Sequence, residues 1–143
     1  MSNEKEVKKV DFSDLPDFKL SHNFRFGEFI RSDMARRLQI CNFPSEDFFD
    51  RVTNRLRALV TYILQPIRES FDAPVYVTSG FRCKELNHHV NGAPNSFHLY
   101  GRAADITASD FNRLQEVVAD MVSSGKIKPT EIIFHNTYIH IAL

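Results

Sequence analysis

Apolar residues recur at three- and four-residue steps along one long stretch of this chain. Phe49, Val52, Leu56, Leu59, Val60, Ile63 and Ile67 form a single stripe, which predicts a helix packed on a core. The start signal is Ser45 after Pro44, with Glu46 and Asp47 in a first turn where acids suit the helix dipole. Pro66 lacks a backbone donor and is expected to end or kink this helix. A second stripe, Leu114, Val117, Val118, Met121 and Val122, follows Ser109-Asp110 and stops before Gly125, a natural C′ residue. Shorter helices are predicted after the Ser32-Asp33 cap signal and over residues 84–90.

Period-two patterns fill the second half. Residues 75–78 and 103–107 read as strands by their β-branched content and alternation. Residues 131–134 and 138–143 read as two strands joined by a tight turn around His135-Asn136. Asn91-Gly92-Ala93-Pro94-Asn95 is turn chemistry. Helices followed by short mixed strands give an α+β class. Ile139, Ile141 and Leu143 share one strand face, and Tyr138, His140 and Ala142 share the other. Asp105 opposes Ala104 and Ile106 in the same way, so Asp105 and His140 can point off the core onto one open sheet face.

The chain has 143 residues, enough for one domain with a real core. Residues 1–20 read as an N-terminal arm, with Leu15, Phe18 and Leu20 available to dock, and residues 21–143 as the domain. Formal net charge is zero, which gives no electrostatic footprint for nucleic acid. The local basic pairs Lys8-Lys9 and Arg36-Arg37 read as solvated faces. The first 18 residues have mixed charge and no apolar run, so neither a signal peptide nor a membrane span is expected. Cys41 and Cys83 form no CxxC and read as free thiols. A monomer is expected.

Chemistry concentrates in Ser79-Gly80-Phe81-Arg82, Ser96-Phe97-His98, Gly101-Arg102-Ala103-Ala104-Asp105 and Tyr138-Ile139-His140. Two imidazoles and a carboxylate, His98, Asp105 and His140, make a ligand set suited to zinc, with a fourth position open for water. Plainer readings stand beside this one. Asp105 could pair with Arg102 or a backbone donor, and His140 could be a satisfied core histidine. Arg82, after a turn at a strand end, can grip a carboxylate with two parallel hydrogen bonds, or be an ordinary surface arginine. His88 and His89 are neighbours on a helix, face different ways and make a poor metal pair, and His22 has no companions.

The run SGFRCKELNHHVNGAPNSFHLYGRAADI with the terminal YIHIAL resembles the zinc D-alanyl-D-alanine carboxypeptidase family of peptidoglycan peptidases, in its compact phage and bacterial, endolysin-like branch. The resemblance runs from about Leu20 to the C-terminus. It implies a small antiparallel sheet with helices on one face and a zinc site on the other, as in D,D-peptidases and Hedgehog domains. It implies Zn2+ held by His98, Asp105 and His140, with Arg82 binding a substrate carboxylate or steadying the oxyanion. Ser96 stands two residues before the first ligand, where it would orient His98 or contact substrate.

The departure is the general base. Family members carry Glu three residues before the last His, or His two before it, and here those places are Thr137 and Tyr138. His135 is the preferred base because imidazole titrates in the right range, with Glu131 the other candidate. Tyr138 would then donate to the developing oxyanion. The expected activity is zinc-dependent hydrolysis of an amide bond in peptidoglycan stem peptides, of the D,D-carboxypeptidase or L-alanyl-D-glutamate endopeptidase type. Without a signal peptide, delivery to the wall is expected by phage-type release or in a virion. The missing base motivates a second expectation, a zinc-bearing wall-binding or virion module without hydrolysis.

Overall fold

The computed structural model describes residues 15–143. Among the described residues, six α-helices and four strands follow one another: α1 (Phe26–Ile30), α2 (Asp33–Leu38), α3 (Phe49–Leu59), α4 (Gln65–Phe71), β1 (Tyr76–Ser79), α5 (Lys84–His89), β2 (Ala103–Thr107), α6 (Phe111–Ser123), β3 (Glu131–Phe134) and β4 (Ile139–Ala142). The strands form one antiparallel sheet in the order β1-β2-β4-β3. This is the α+β architecture expected. Most of the N-terminal arm, including Lys8-Lys9, lies outside the described residues. Leu20 is buried, and Leu15 and Phe18 pack on the core, with Phe18 stacked on Phe26 at 4.8 Å.

Helix starts follow the capping residues. Ser32 accepts from the Ala35 backbone N–H at the start of α2, and Asp110 accepts from that of Arg113 at the start of α6. Gly125 follows α6 with φ of 75°, the left-handed C′ geometry expected there. Ser45 precedes a 3-10 turn (Glu46–Phe48) rather than capping α3 with its side chain. Of the two outcomes expected at Pro66, the break does not occur. A π-helical turn (Val60–Leu64) runs directly into α4, and the chain stays helical through Pro66 to Phe71. The wider turn places Pro66 at the start of a fresh α segment, where its missing donor costs little.

One face of the sheet is apolar. Val77, Ala104, Ile106, Ile139 and Ile141 are buried against Leu56, Leu59, Ile63, Ile67 and Leu114 from the helices. That face anchors the sheet by burial of apolar area. The register then fixes the opposite face. Ser79 stands opposite Asp105, Asp105 opposite His140, and His140 opposite Ile133, in one row across all four strands. A bulge between Val77 and Ser79 puts Ser79 in that row, and Thr78 instead donates to the Asp105 carbonyl at 3.2 Å.

Candidate metal centre

Three elements bring the site together. His98 lies in a 3-10 turn (Phe97–Tyr100), Asp105 in β2 and His140 in β4. One potential ligand atom from each lies within 4.8 Å of the others. Asp105 Oδ1 is 3.2 Å from His98 Nε2 and 3.0 Å from His140 Nδ1. His98 and Asp105 are buried, at 2% and 6% exposure, and His140 is half-buried.

The turn that carries His98 is held at both ends. Ser96 Oγ accepts from the His98 backbone N–H at 3.2 Å, which holds the loop that carries His98. The His98 ring donates from Nδ1 to the Gly80 carbonyl at 2.7 Å. Gly80 is a glycine because α1 passes so close: a Cβ there would stand 2.6 Å from the Phe29 backbone.

Proton counting shows what this cluster fits. Each imidazole has an acceptor at both nitrogens: the Gly80 carbonyl and Asp105 for His98, Asp105 and Glu131 for His140. A neutral imidazole donates only one proton. With the outer nitrogens donating, the inner lone pairs of His98 Nε2 and His140 Nδ1 converge on the Asp105 carboxylate. Such a set of acceptors is satisfied by a divalent cation. Tetrahedral bonds of about 2.1 Å separate ligand atoms by about 3.4 Å, close to the 3.2 and 3.0 Å between Asp105 Oδ1 and the two imidazoles. The residues therefore fit a metal.

Asp105 is the electrostatic hub. Burial alone would raise its carboxyl, but hydrogen bonds and charge from His140 and His98 outweigh burial and hold it well below the usual carboxylate range. His140 is correspondingly raised, chiefly by its hydrogen bond to Asp105, against burial and with further help from Glu131. Arg82 Nη2 lies 3.5 Å from Asp105 Oδ2. Asp105 thus pairs with Arg82 and not with Arg102. Arg102 donates to the Leu143 carbonyl at 2.7 Å and lies over the Phe97 ring.

Arg82 is fixed along its whole length. Its backbone N–H donates to the His98 carbonyl, its Nε to Ser79 Oγ at 3.1 Å and its Nη1 to Asn87 Oδ1 at 3.2 Å. Burial pulls its guanidinium below the ordinary value, with Asp105 and Tyr138 opposing. Buried Asn42 clamps the adjoining backbone, donating to the Ile30 and Phe81 carbonyls and accepting from the Cys83 N–H. Cys83 caps α5 through its sulfur, so it serves the local fold.

His135 and Tyr138 lie on the β3–β4 loop with their rings stacked at 4.3 Å. His22, His88 and His89 are exposed and take no part in the cluster. Neither Asn42 nor Asn87 was marked by the sequence, since a lone asparagine carries no spacing signal.

The Peptidase M15 family profile matches residues 27–142, nearly the whole domain and every residue of this site. The chain belongs to the Peptidase M15 family. A zinc D-Ala-D-Ala carboxypeptidase from Streptomyces albus G is 48% identical to this chain over 58 residues. That stretch is 39% of this chain and 23% of the relative, so the match spans less than a quarter of that protein's length.

Proposed function

We propose that this M15 protein is a zinc-dependent peptidase that hydrolyses an amide bond in peptidoglycan stem peptides. The observation that carries this is the His98–Asp105–His140 cluster, whose inner lone pairs converge beside a clamped Arg82. The family match and the similarity to a zinc D-Ala-D-Ala carboxypeptidase support the metal and the substrate class.

When bound, zinc supplies Lewis acidity toward the scissile carbonyl and the attacking water. The protein's own groups do the rest. The Arg82 guanidinium grips a stem-peptide carboxylate and fixes the scissile bond relative to the cluster. His135 takes the proton of the attacking water as the C–O bond forms and returns it to the amine nitrogen as the C–N bond breaks. The Tyr138 hydroxyl donates to the developing oxyanion. The stacking of His135 on Tyr138, with Tyr138 in electrostatic reach of Arg82, supports these roles. Ser96 acts through the His98 loop.

The compact site with one arginine clamp fits a D,D-carboxypeptidase or an L-alanyl-D-glutamate endopeptidase, and phage lysis and wall remodelling both call for such cuts. The test is a panel of synthetic stem peptides read by mass spectrometry. Release of free D-Ala assigns the first type, and cleavage after L-Ala the second. Intact peptides in the presence of zinc-loaded protein would contradict hydrolysis and favour a wall-binding module.

A further inference from the structure

Glu131 stands apart from the roles above. It lies on the edge strand β3, paired with Ala142, while Ile133 pairs with His140. Strand alternation puts Glu131 on the same sheet face as His140, one diagonal away. Its Oε1 accepts from His140 Nε2 at 2.6 Å. Nδ1 of the same ring faces Asp105 at 3.0 Å.

We infer that Glu131 is a positioning residue for the metal centre: its carboxylate holds the His140 ring so that Nδ1 is the nitrogen offered to the cation. The inference rests on the reading that the cluster binds a metal. Imidazole carries one proton when neutral, and an acceptor-only carboxylate draws that proton to Nε2. Nδ1 is then left as a lone pair facing Asp105. The other histidine is arranged with the opposite sense. His98 donates from Nδ1 to the Gly80 carbonyl and offers Nε2. The two ligands therefore differ in the outer group that sets their tautomer. His98 has a neutral carbonyl in a buried turn. His140 has a charged carboxylate on a side chain 44% exposed. A carboxylate on the outer nitrogen also makes the imidazole a stronger ligand.

The same geometry removes Glu131 from the list of general bases. The imidazole ring of His140 separates its carboxylate from the Asp105 side, where the reacting groups would meet. Glu131 acts through His140.

The test compares zinc affinity of the wild-type chain, Glu131→Gln and Glu131→Ala by competition with a chromophoric chelator. It is paired with 15N NMR of the His140 ring in the zinc-loaded wild type. Glu131→Ala should bind zinc about 10–100-fold more weakly. Glu131→Gln, which keeps a neutral acceptor in place, should fall between. The NMR should show zinc on Nδ1 and a proton on Nε2. Equal affinity in all three proteins, or zinc on Nε2, would overturn the role of Glu131 while leaving the metal centre standing. A wild-type chain that binds no zinc would overturn both. Should Glu131→Ala fail to fold, Glu131→Gln and the wild-type spectrum still decide.

Discussion

Asp105 and His140 face each other across β2 and β4, and this one cross-strand pair couples the metal centre to the register of the sheet. A slip of one residue in either strand would turn its member of the pair into the apolar core. The pair also joins charge to fold, because Asp105 gathers Arg82, His98 and His140 around a single buried carboxylate.

Asp105→Asn keeps the shape of the side chain and removes its charge. Zinc affinity should fall by at least about 100-fold, beyond what an outer-group change does. Circular dichroism should remain that of a folded protein. Equilibrium dialysis with zinc checks this, and wild-type affinity in the variant would show that Asp105 is no ligand.

The metal-free protein should be most stable in a window between the carboxylate and imidazole ranges. Asp105 is depressed on folding, so its contribution is complete above the unfolded value of about 3.9 and is lost as pH falls toward its folded value. His140 is raised on folding, so its contribution is complete below about 6.5 and is lost as pH climbs through its folded value. Melting temperatures in chelator should therefore decline on both sides of roughly pH 4–6.5. With zinc the alkaline decline should disappear, since a cation replaces the proton at His140.

Gly92→Ala tests how Arg82 is aimed. A Cβ at Gly92 would collide with Asn87 Oδ1 and stand 2.9 Å from Arg82 Nη1. Both are side-chain tips that can move, so folding should survive. Arg82 should lose its fixed fork, and kcat/KM for stem peptides should drop by about tenfold or more, as misplacement of a substrate clamp does. Zinc affinity should hardly change. Steady-state kinetics beside zinc titration separates the two effects.

Gly80→Ala is the harsher change. Its Cβ would meet α1 backbone at 2.6 Å, which cannot yield as a side chain does. Destabilisation of about 1–3 kcal/mol is expected from overpacking, measured by urea unfolding in chelator. The Gly80 carbonyl that holds His98 should shift as well, so zinc should bind more weakly.

His135→Ala and Tyr138→Phe distinguish the two proposed loop roles. Loss of a base should lower kcat by about 10²–10⁴-fold and remove the acidic limb of the pH profile. Loss of the tyrosine hydroxyl should lower kcat and leave that limb in place. A His135→Ala enzyme with an unchanged profile would rule this histidine out.

Much of this site could be read before any coordinates. The candidate ligands stood out because His98, Asp105 and His140 follow glycine turns and strand alternation, both of which are local patterns. The strands β2 and β3 fell where alternation placed them. What escaped depends on contacts distant in sequence. Asn42 reaches Phe81 and Cys83 across some forty residues. Asn87, five residues from Arg82, is the local exception, and it reaches the guanidinium only because α5 folds back. The bulge in β1 puts Ser79 where simple alternation would put Thr78. Pro66 left a break and a kink both open, and only the preceding π turn shows why the chain stays helical there. Glu131 looked like a base by type, and its partner became visible only with the register of β3.

The most direct test is hydrolysis of purified peptidoglycan by zinc-loaded protein, followed by mass spectrometry, with His140→Ala as the control. New stem-peptide fragments are expected that vanish in the variant and in chelator, from a protein carrying one zinc per chain. A chain that holds one zinc at His98, Asp105 and His140 yet releases no fragment would contradict hydrolysis.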